Sequence, residues 1–355
     1  MTAELLLVGG YAAADRPGIH ALDFDQATGA LTPRGSLAGV ANPSFLVVHP
    51  NRRWFYAVGE TSQASGAPGS VWACGLERAP LALRAVNQQP SGGDDPCHLL
   101  LDAAGGWLIV SNYSSGSVGV LPILPDGSLG ELTDLAQHRG SGPNPARQEG
   151  PHAHSATLTP DGRFVIVADL GLDQLLVYAL DRAAGKLIPH GQAAARPGAG
   201  PRHMAFHPGG RRAYVANELD NTVAMYDYDA ASGALRELQA LDTLPAGAPE
   251  SYVADIHIAP SGERLYVSNR GHDSLAVFDV APDGRLDRAA IRPCGGRWPR
   301  NFALAPGGRF ALVANQHSDE LAALPLPGGP QAVGEPVARA AAAGAACVQV
   351  VGAAD

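Results

Sequence analysis

Twelve histidines and 25 lysines and arginines are spread over 355 positions, yet the groups best suited to acid–base and anion chemistry recur in short phrases. Pro151-His-Ala-His supplies His152 and His154, Pro201-Arg-His supplies Arg202 and His203, and Asn217-Glu supplies Glu218. Further on, Asp255-Ile-His supplies Asp255 and His257, Asn269-Arg supplies Arg270, and Pro299-Arg-Asn supplies Arg300 and Asn301. An imidazole titrates near neutrality and can take a proton from water. A guanidinium fork holds a phosphate, a carboxylate or a developing oxyanion. No Gly-x-Ser-x-Gly elbow, Gly-x-x-x-x-Gly-Lys loop or His-Glu-x-x-His pair competes with this set. Gly9-Gly10 follows an apolar strand but no helix follows it, so a dinucleotide site is unsupported.

The elements that carry these phrases repeat. An apolar strand, a Pro-x-Gly-Arg-like turn and a second apolar strand ending in Asn or Asp recur in Ser155–Asp169, His203–Asn217, Asp255–Asn269 and Asn301–Asn315, and more weakly in Phe45–Gly59 and His98–Asn112. Anchored on the turn, the copies stand at Pro50, Ala103, Pro160, Pro208, Pro260 and Pro306, with spacings of 53, 57, 48, 52 and 46. That period suits four-stranded propeller blades. Leu5–Tyr11, Gly18–Phe24 and Leu31–Ser36 match the last three strands of a further blade, and Cys347–Val351 supplies the missing first strand. The expectation is one all-β domain over residues 1–355: a seven-bladed β-propeller of antiparallel four-stranded blades, closed by pairing the N- and C-terminal strands.

In register, the polar residues fall into columns at one end of the first hairpin. Six before the anchor stand Ser44, Cys97, His154, Arg202, Ala254 and Arg300. Five before stand Phe45, His98, Ser155, His203, Asp255 and Asn301. Ten after stand Glu60, Tyr113, Leu170, Glu218, Arg270 and Gln316. Packing of blade on blade does not require that last column to vary, so the variation suggests a site built around the axis. The expected lining is Glu60, His98, Tyr113, His203, Asp255, Arg300, Asn301 and Gln316, with His257 either lining the channel or satisfied in the core. Asn112, Asp169, Asn217, Asn269 and Asn315 read as caps of the strand ends. His49 and His207 belong to the far rim, and His20, His138 and His190 to outer connections at the surface. Arg139–Gly150 is a polar loop that leads into His152.

Net charge is −9, which disfavours nucleic acid and anionic membranes as partners. Cys74, Cys97, Cys294 and Cys347 lie far apart, so neither a disulfide framework nor a zinc site is expected. The N-terminus reads as a strand rather than a signal peptide, and no segment is long enough to span a bilayer. These features suggest a cytoplasmic protein, monomeric or weakly homo-oligomeric.

Gly150-Pro-His-Ala-His-Ser, Gly200-Pro-Arg-His-Met-Ala-Phe-His-Pro, Tyr214-Val-Ala-Asn-Glu-Leu, Leu265-Tyr-Val-Ser-Asn-Arg-Gly-His-Asp-Ser and Pro299-Arg-Asn-Phe together resemble the seven-bladed lactonase family, from Leu5 to Val351. The family includes propeller-type 6-phosphogluconolactonases and a carboxymuconate-lactonising relative. The resemblance implies a catalytic set of His152, His154, Arg202, Glu218 and Arg270, acting on a small sugar lactone, phosphorylated in the leading reading. No cofactor or metal is expected, because arginines and histidines interleave with Glu60, Glu218 and Asp255 at the rim and oppose a bound divalent ion. Arg202 and Arg270 are expected to converge on one anion from a rim whose loss leaves the fold intact. Asp255 stands where the family usually carries glutamate, which leaves its role open. The alternatives are a carboxymuconate-type or unphosphorylated lactone as substrate, and a non-enzymatic propeller scaffold.

Overall fold

A computed structural model describes residues 3–328 and 332–353. Each anchor turn forces a residue two positions on into left-handed backbone. Glycine fills that place in five blades (Gly105, Gly162, Gly210, Gly262 and Gly308), while Arg52 takes it in the first at φ 58°. The turn thus forms in blade one without glycine, at the cost of a mildly strained residue.

The strands assemble into seven four-stranded antiparallel sheets. Their inner strands are Leu46–Val48, Pro96–Leu101, Ala153–Leu158, Pro201–Phe206, Tyr252–Ile258, Pro299–Leu304 and Ala345–Ala353. Each packs on the next around the ring, and the last returns to Leu46–Val48. We number the blades from the one that begins at Leu46. The seventh is built from both ends of the chain. Ala345–Ala353 pairs with Glu4–Gly10, which pairs with Ile19–Phe24 and then Leu31–Leu37. The expected closure is what the fold contains.

Apolar side chains on both faces of each sheet hold the ring together. Phe164–Asp169 is buried along its whole length because each face meets a neighbouring blade. In Glu4–Gly10, Leu6 and Val8 pack against Phe310, Leu312 and Leu321 of blade six. Leu5 and Leu7, on the other face, pack against Phe55, Ala57 and Leu76 of blade one. At roughly 1.5–3 kcal/mol for each fully buried large side chain, this one strand contributes substantially to two interfaces.

The Asn/Asp column does more than cap turns. Asn112 Nδ2 donates to Ser91 O at the end of the preceding blade, and Thr243 Oγ1 donates to Asn269 Oδ1 at 2.7 Å in the same manner. Asp169 takes a histidine in that place: His138 Nδ1 donates to its Oδ2 at 2.6 Å. His138 is therefore buried, contrary to the surface position expected of it, because it ends the outer strand of blade two against blade three. His20 lies in a strand and is half-buried, while His190 is exposed as expected. The four cysteines are free and buried. Among the described residues, no helix is long and apolar enough to cross a membrane.

Candidate active site

Neighbouring residues of a regular strand face opposite sides. Five inner strands break that rule at the same place. Pairing with the second strand slips between Pro96 and His98, Ala153 and Ser155, Pro201 and His203, Val253 and Ile256, and Pro299 and Asn301. A bulge adds a residue on one strand, and here that residue is Cys97, His154, Arg202 or Arg300, or the pair Ala254 and Asp255. The bulge lets two consecutive residues both serve the channel, at different depths.

The upper cavity, about 200 Å³, is walled by Glu60, Cys97, Tyr113, Arg147, His154, Glu218, Arg270 and Arg300. Glu218 is its hub. Arg270 Nη2 donates to Oε2 at 2.6 Å, Arg202 Nε to the same oxygen at 3.0 Å, and Arg147 Nη2 to Oε1 at 2.6 Å. Burial alone would raise this carboxyl, but Arg270, Arg202 and Arg147 outweigh it and hold Glu218 at about 2. Burial and the cations of Arg270 and Arg300 lower Arg202 only to about 9, so both partners are charged at neutral pH.

Glu60 is the opposite case. Burial raises it despite Arg300, whose Nη2 lies 3.9 Å away, and despite hydroxyls donated by Ser44 and Tyr11. The cavity therefore holds one carboxylate fixed in its ionised form and one biased towards its neutral form. His154 is pushed well below the usual histidine range by burial and then by Arg202, His203, Arg300 and Arg270. It is neutral at pH 7 and can accept a proton. Cys97 donates its thiol to His154 O at 3.2 Å, and burial raises it far out of the thiolate range.

A second cavity, about 470 Å³, shares no lining residue with the first. Its polar wall includes His98, His203, Asp255, His257 and Asn301, the residues of the column five before the anchor together with His257. Asp255 accepts from His203 Nδ1 at 2.8 Å, His257 Nε2 at 2.9 Å, Asn301 Nδ2 at 2.6 Å and Phe302 N at 3.1 Å. Asn301 Oδ1 in turn accepts from Val348 N at 2.9 Å, so the cluster ties the closing strand to blades five and six. The rings of His154 and His203 stand 5.3 Å apart across the boundary between the cavities.

Comparison with known proteins agrees with this architecture. Residues 5–350 match the family model described as lactonase, 7-bladed beta-propeller. The chain belongs to the seven-bladed lactonase family. A relative from Bacillus subtilis named 6-phosphogluconolactonase is 35% identical over 323 residues, covering 90% of each chain. Another of that name from Formosa agariphila is 32% identical over 310 residues, covering 86% of this chain and 87% of its own. Among solved structures, the periplasmic gluconolactonase PpgL of Pseudomonas aeruginosa superposes with a TM-score of 0.93 at 32% identity, covering 99% of both chains.

Within this lactonase propeller the sequence-derived set divides. Glu60, Tyr113, His154, Glu218, Arg270 and Arg300 meet in the upper cavity. Arg202 is 2% exposed and lies behind Glu218, donating from Nη1 to Ala254 O at 2.7 Å, and it is not among the residues that line this cavity. His152 also stays out of the cavity. It stacks on the Tyr113 ring with centroids 4.5 Å apart and donates from Nδ1 to Tyr113 O at 3.1 Å. Gln316 opens a short 3-10 turn, Gln316–Ser318, and does not reach the wall. His98, His203, Asp255, His257 and Asn301 line the second cavity instead, and His257 is a channel residue. Among the described residues, no group of three or more His, Cys, Asp or Glu could hold a metal ion.

Arg147 is the wall residue that the repeat did not reveal. It has no place in the columns because it comes from the 139–150 loop. That loop is fastened by buried Gln148, whose Nε2 donates to Leu170 O at 2.9 Å and Asp173 Oδ1 at 2.7 Å. The legible signal was the long polar loop feeding the Pro-His-x-His phrase.

Proposed function

We propose that this protein hydrolyses a sugar lactone, 6-phosphogluconolactone to 6-phosphogluconate, as the pentose phosphate pathway requires. The observation that carries this reading is the charge of the upper cavity: three guanidiniums against two carboxylates in a chain of net charge −9. Such a wall selects a small anion that carries an ester carbonyl, and the Bacillus subtilis relative bears the name of that activity. A phosphorylated metabolite and four unpaired thiols both fit a reducing cytoplasm. One chain carries the whole site, so a monomer suffices.

In this mechanism neutral His154 takes a proton as water oxygen bonds to the lactone carbonyl carbon. The carbonyl pair moves onto oxygen, and Arg270, held by Glu218, faces the resulting oxyanion. When the tetrahedral centre collapses, the ring C–O bond breaks and the imidazolium returns its proton to the leaving alkoxide. The carboxylic acid product then ionises. Arg202 acts through Glu218, and no metal or cofactor takes part.

The test is turnover of freshly generated 6-phosphogluconolactone, corrected for spontaneous opening and repeated after exhaustive chelation. Acceleration should survive the chelator, and His154→Ala should lower kcat by about 100-fold or more. A wild-type rate equal to the blank would exclude the reading. The likeness to PpgL favours a second reading, an unphosphorylated gluconolactone as substrate. A kcat/KM higher for glucono-lactone than for its 6-phosphate would select it.

A further inference from the structure

Three arginines meet at Glu218, and they are not held alike. Arg202 and Arg270 lie on strands, are almost fully buried, and also donate to main-chain carbonyls. Arg202 reaches Ala254 O at 2.7 Å, and Arg270 reaches Val253 O at 3.2 Å. Neither can leave without giving up its hydrogen bond to a main-chain carbonyl. Arg147 is different. Its side chain is 33% exposed, and its contacts are side-chain groups: Glu218 Oε1 at 2.6 Å, Tyr113 Oη at 3.3 Å and the Tyr252 ring at 5.6 Å. It is also shared between two spaces. Arg147 walls the upper cavity and, with Asn144, Tyr252 and the 244–251 loop, an outer groove of about 670 Å³.

We propose that Arg147 determines specificity for a phosphomonoester on the end of the substrate remote from the lactone carbonyl. This rests on the lactonase reading above. The bound lactone would lie with its carbonyl towards His154 and Arg270 and its phosphate towards the groove, where Arg147 exchanges Glu218 Oε1 for phosphate oxygens. A dianion offers a guanidinium fork two parallel charge-assisted bonds. At the mouth it also keeps part of its hydration, so its desolvation penalty is smaller than it would be beside Arg300, whose side chain is less exposed. The exchange leaves Glu218 neutralised, since Arg202 and Arg270 both hold its other oxygen, and frees Oε1 to accept from a sugar hydroxyl.

The experiment compares wild type, Arg147→Ala and Arg147→Lys on glucono-lactone and its 6-phosphate. In Arg147→Ala the ratio of kcat/KM for the phosphorylated over the unphosphorylated lactone should fall at least about ten-fold, chiefly through KM. Arg147→Lys should restore part of that ratio, because the charge remains and the fork is lost. An unchanged ratio would overturn the proposal. Calorimetric titration with 6-phosphogluconate and with gluconate gives a readout that does not depend on turnover. Arg147→Ala should lose at least about ten-fold affinity for the first relative to the second, and equal losses for both would also overturn it. A wild-type protein that opens neither lactone would count against the lactonase reading, while the titrations would still decide the role of Arg147.

Discussion

Arg202 and Glu218 lie on the same blade, 16 residues apart, with Nε and Oε2 separated by 3.0 Å and both side chains buried. This pair couples the site to the fold, which a rim arginine would not do. Arg202→Ala removes a buried cation and strands both Ala254 O and part of the Glu218 charge. A loss of about 3–5 kcal/mol in unfolding free energy is expected by denaturant titration, together with loss of activity. An effect under about 0.5 kcal/mol would mean that the pair contributes nothing to the fold.

Asp169 joins blade two to the site. Its Oδ2 accepts from buried His138, and its Oδ1 accepts from His152 N at 2.8 Å and Leu172 N at 3.1 Å. Asp169→Ala leaves two buried donors and one half-buried donor without acceptors and should cost about 3 kcal/mol or more. Asp169→Asn keeps Oδ1 for both N–H groups and should cost less than half as much. It should also retain more activity, because the chain leading to His154 stays in place. Equal losses in unfolding titrations of the two variants would show that the His138 contact, not the His152 segment, is what matters.

Ring closure depends on the last strand. Truncation before Ala345 exposes one side of Glu4–Gly10 and removes Cys347, Val348 and Val351 from the interfaces with blades six and one. The newly unpaired N–H and C=O groups along that strand form an edge that invites association. The truncated chain should lose its cooperative thermal transition and aggregate, as followed by circular dichroism and light scattering. A monomer with the full-length melting temperature would contradict the closure.

Acid should destabilise the protein well above the carboxylate range. His98, His154 and His203 are held below the ordinary value of 6.5 by burial first, and His203 stands at about 4. Between pH 6.5 and 4 the unfolded chain binds protons that these folded histidines refuse, so stability falls as pH falls. His203 alone accounts for on the order of 3 kcal/mol over that window. Asp255, lowered by His257 and His203 against its burial, adds to the loss only below its ordinary 3.8. His257, raised by Asp255 against its own burial, contributes stability already complete below 6.5. Glu60, raised by burial, opposes the trend as a single group. Urea midpoints should drop between pH 7 and 5, and constant midpoints would mean that the three imidazoles titrate normally. Activity that depends on neutral His154 should persist as pH passes below 6.5.

Blade number, the closing strand and most of the upper wall are legible in the repeat pattern alone. Glu60, Tyr113, His154, Glu218, Arg270 and Arg300 follow from registering one hairpin on another, since hairpin geometry fixes which end of a blade a residue occupies. Depth was not legible. Adjacent residues such as Arg202 and His203 occupy one rim in any register argument, and only the bulge separates Glu218's buried partner from a residue of the second cavity. Contacts across blades were also beyond a one-dimensional reading. His138 meets Asp169 because an outer strand ends against the next blade, and Arg147 reaches Glu218 across 71 residues from a loop outside the repeat. Repetition encodes position along a blade, whereas the angle between blades and the path of an irregular loop are set by packing of the whole ring.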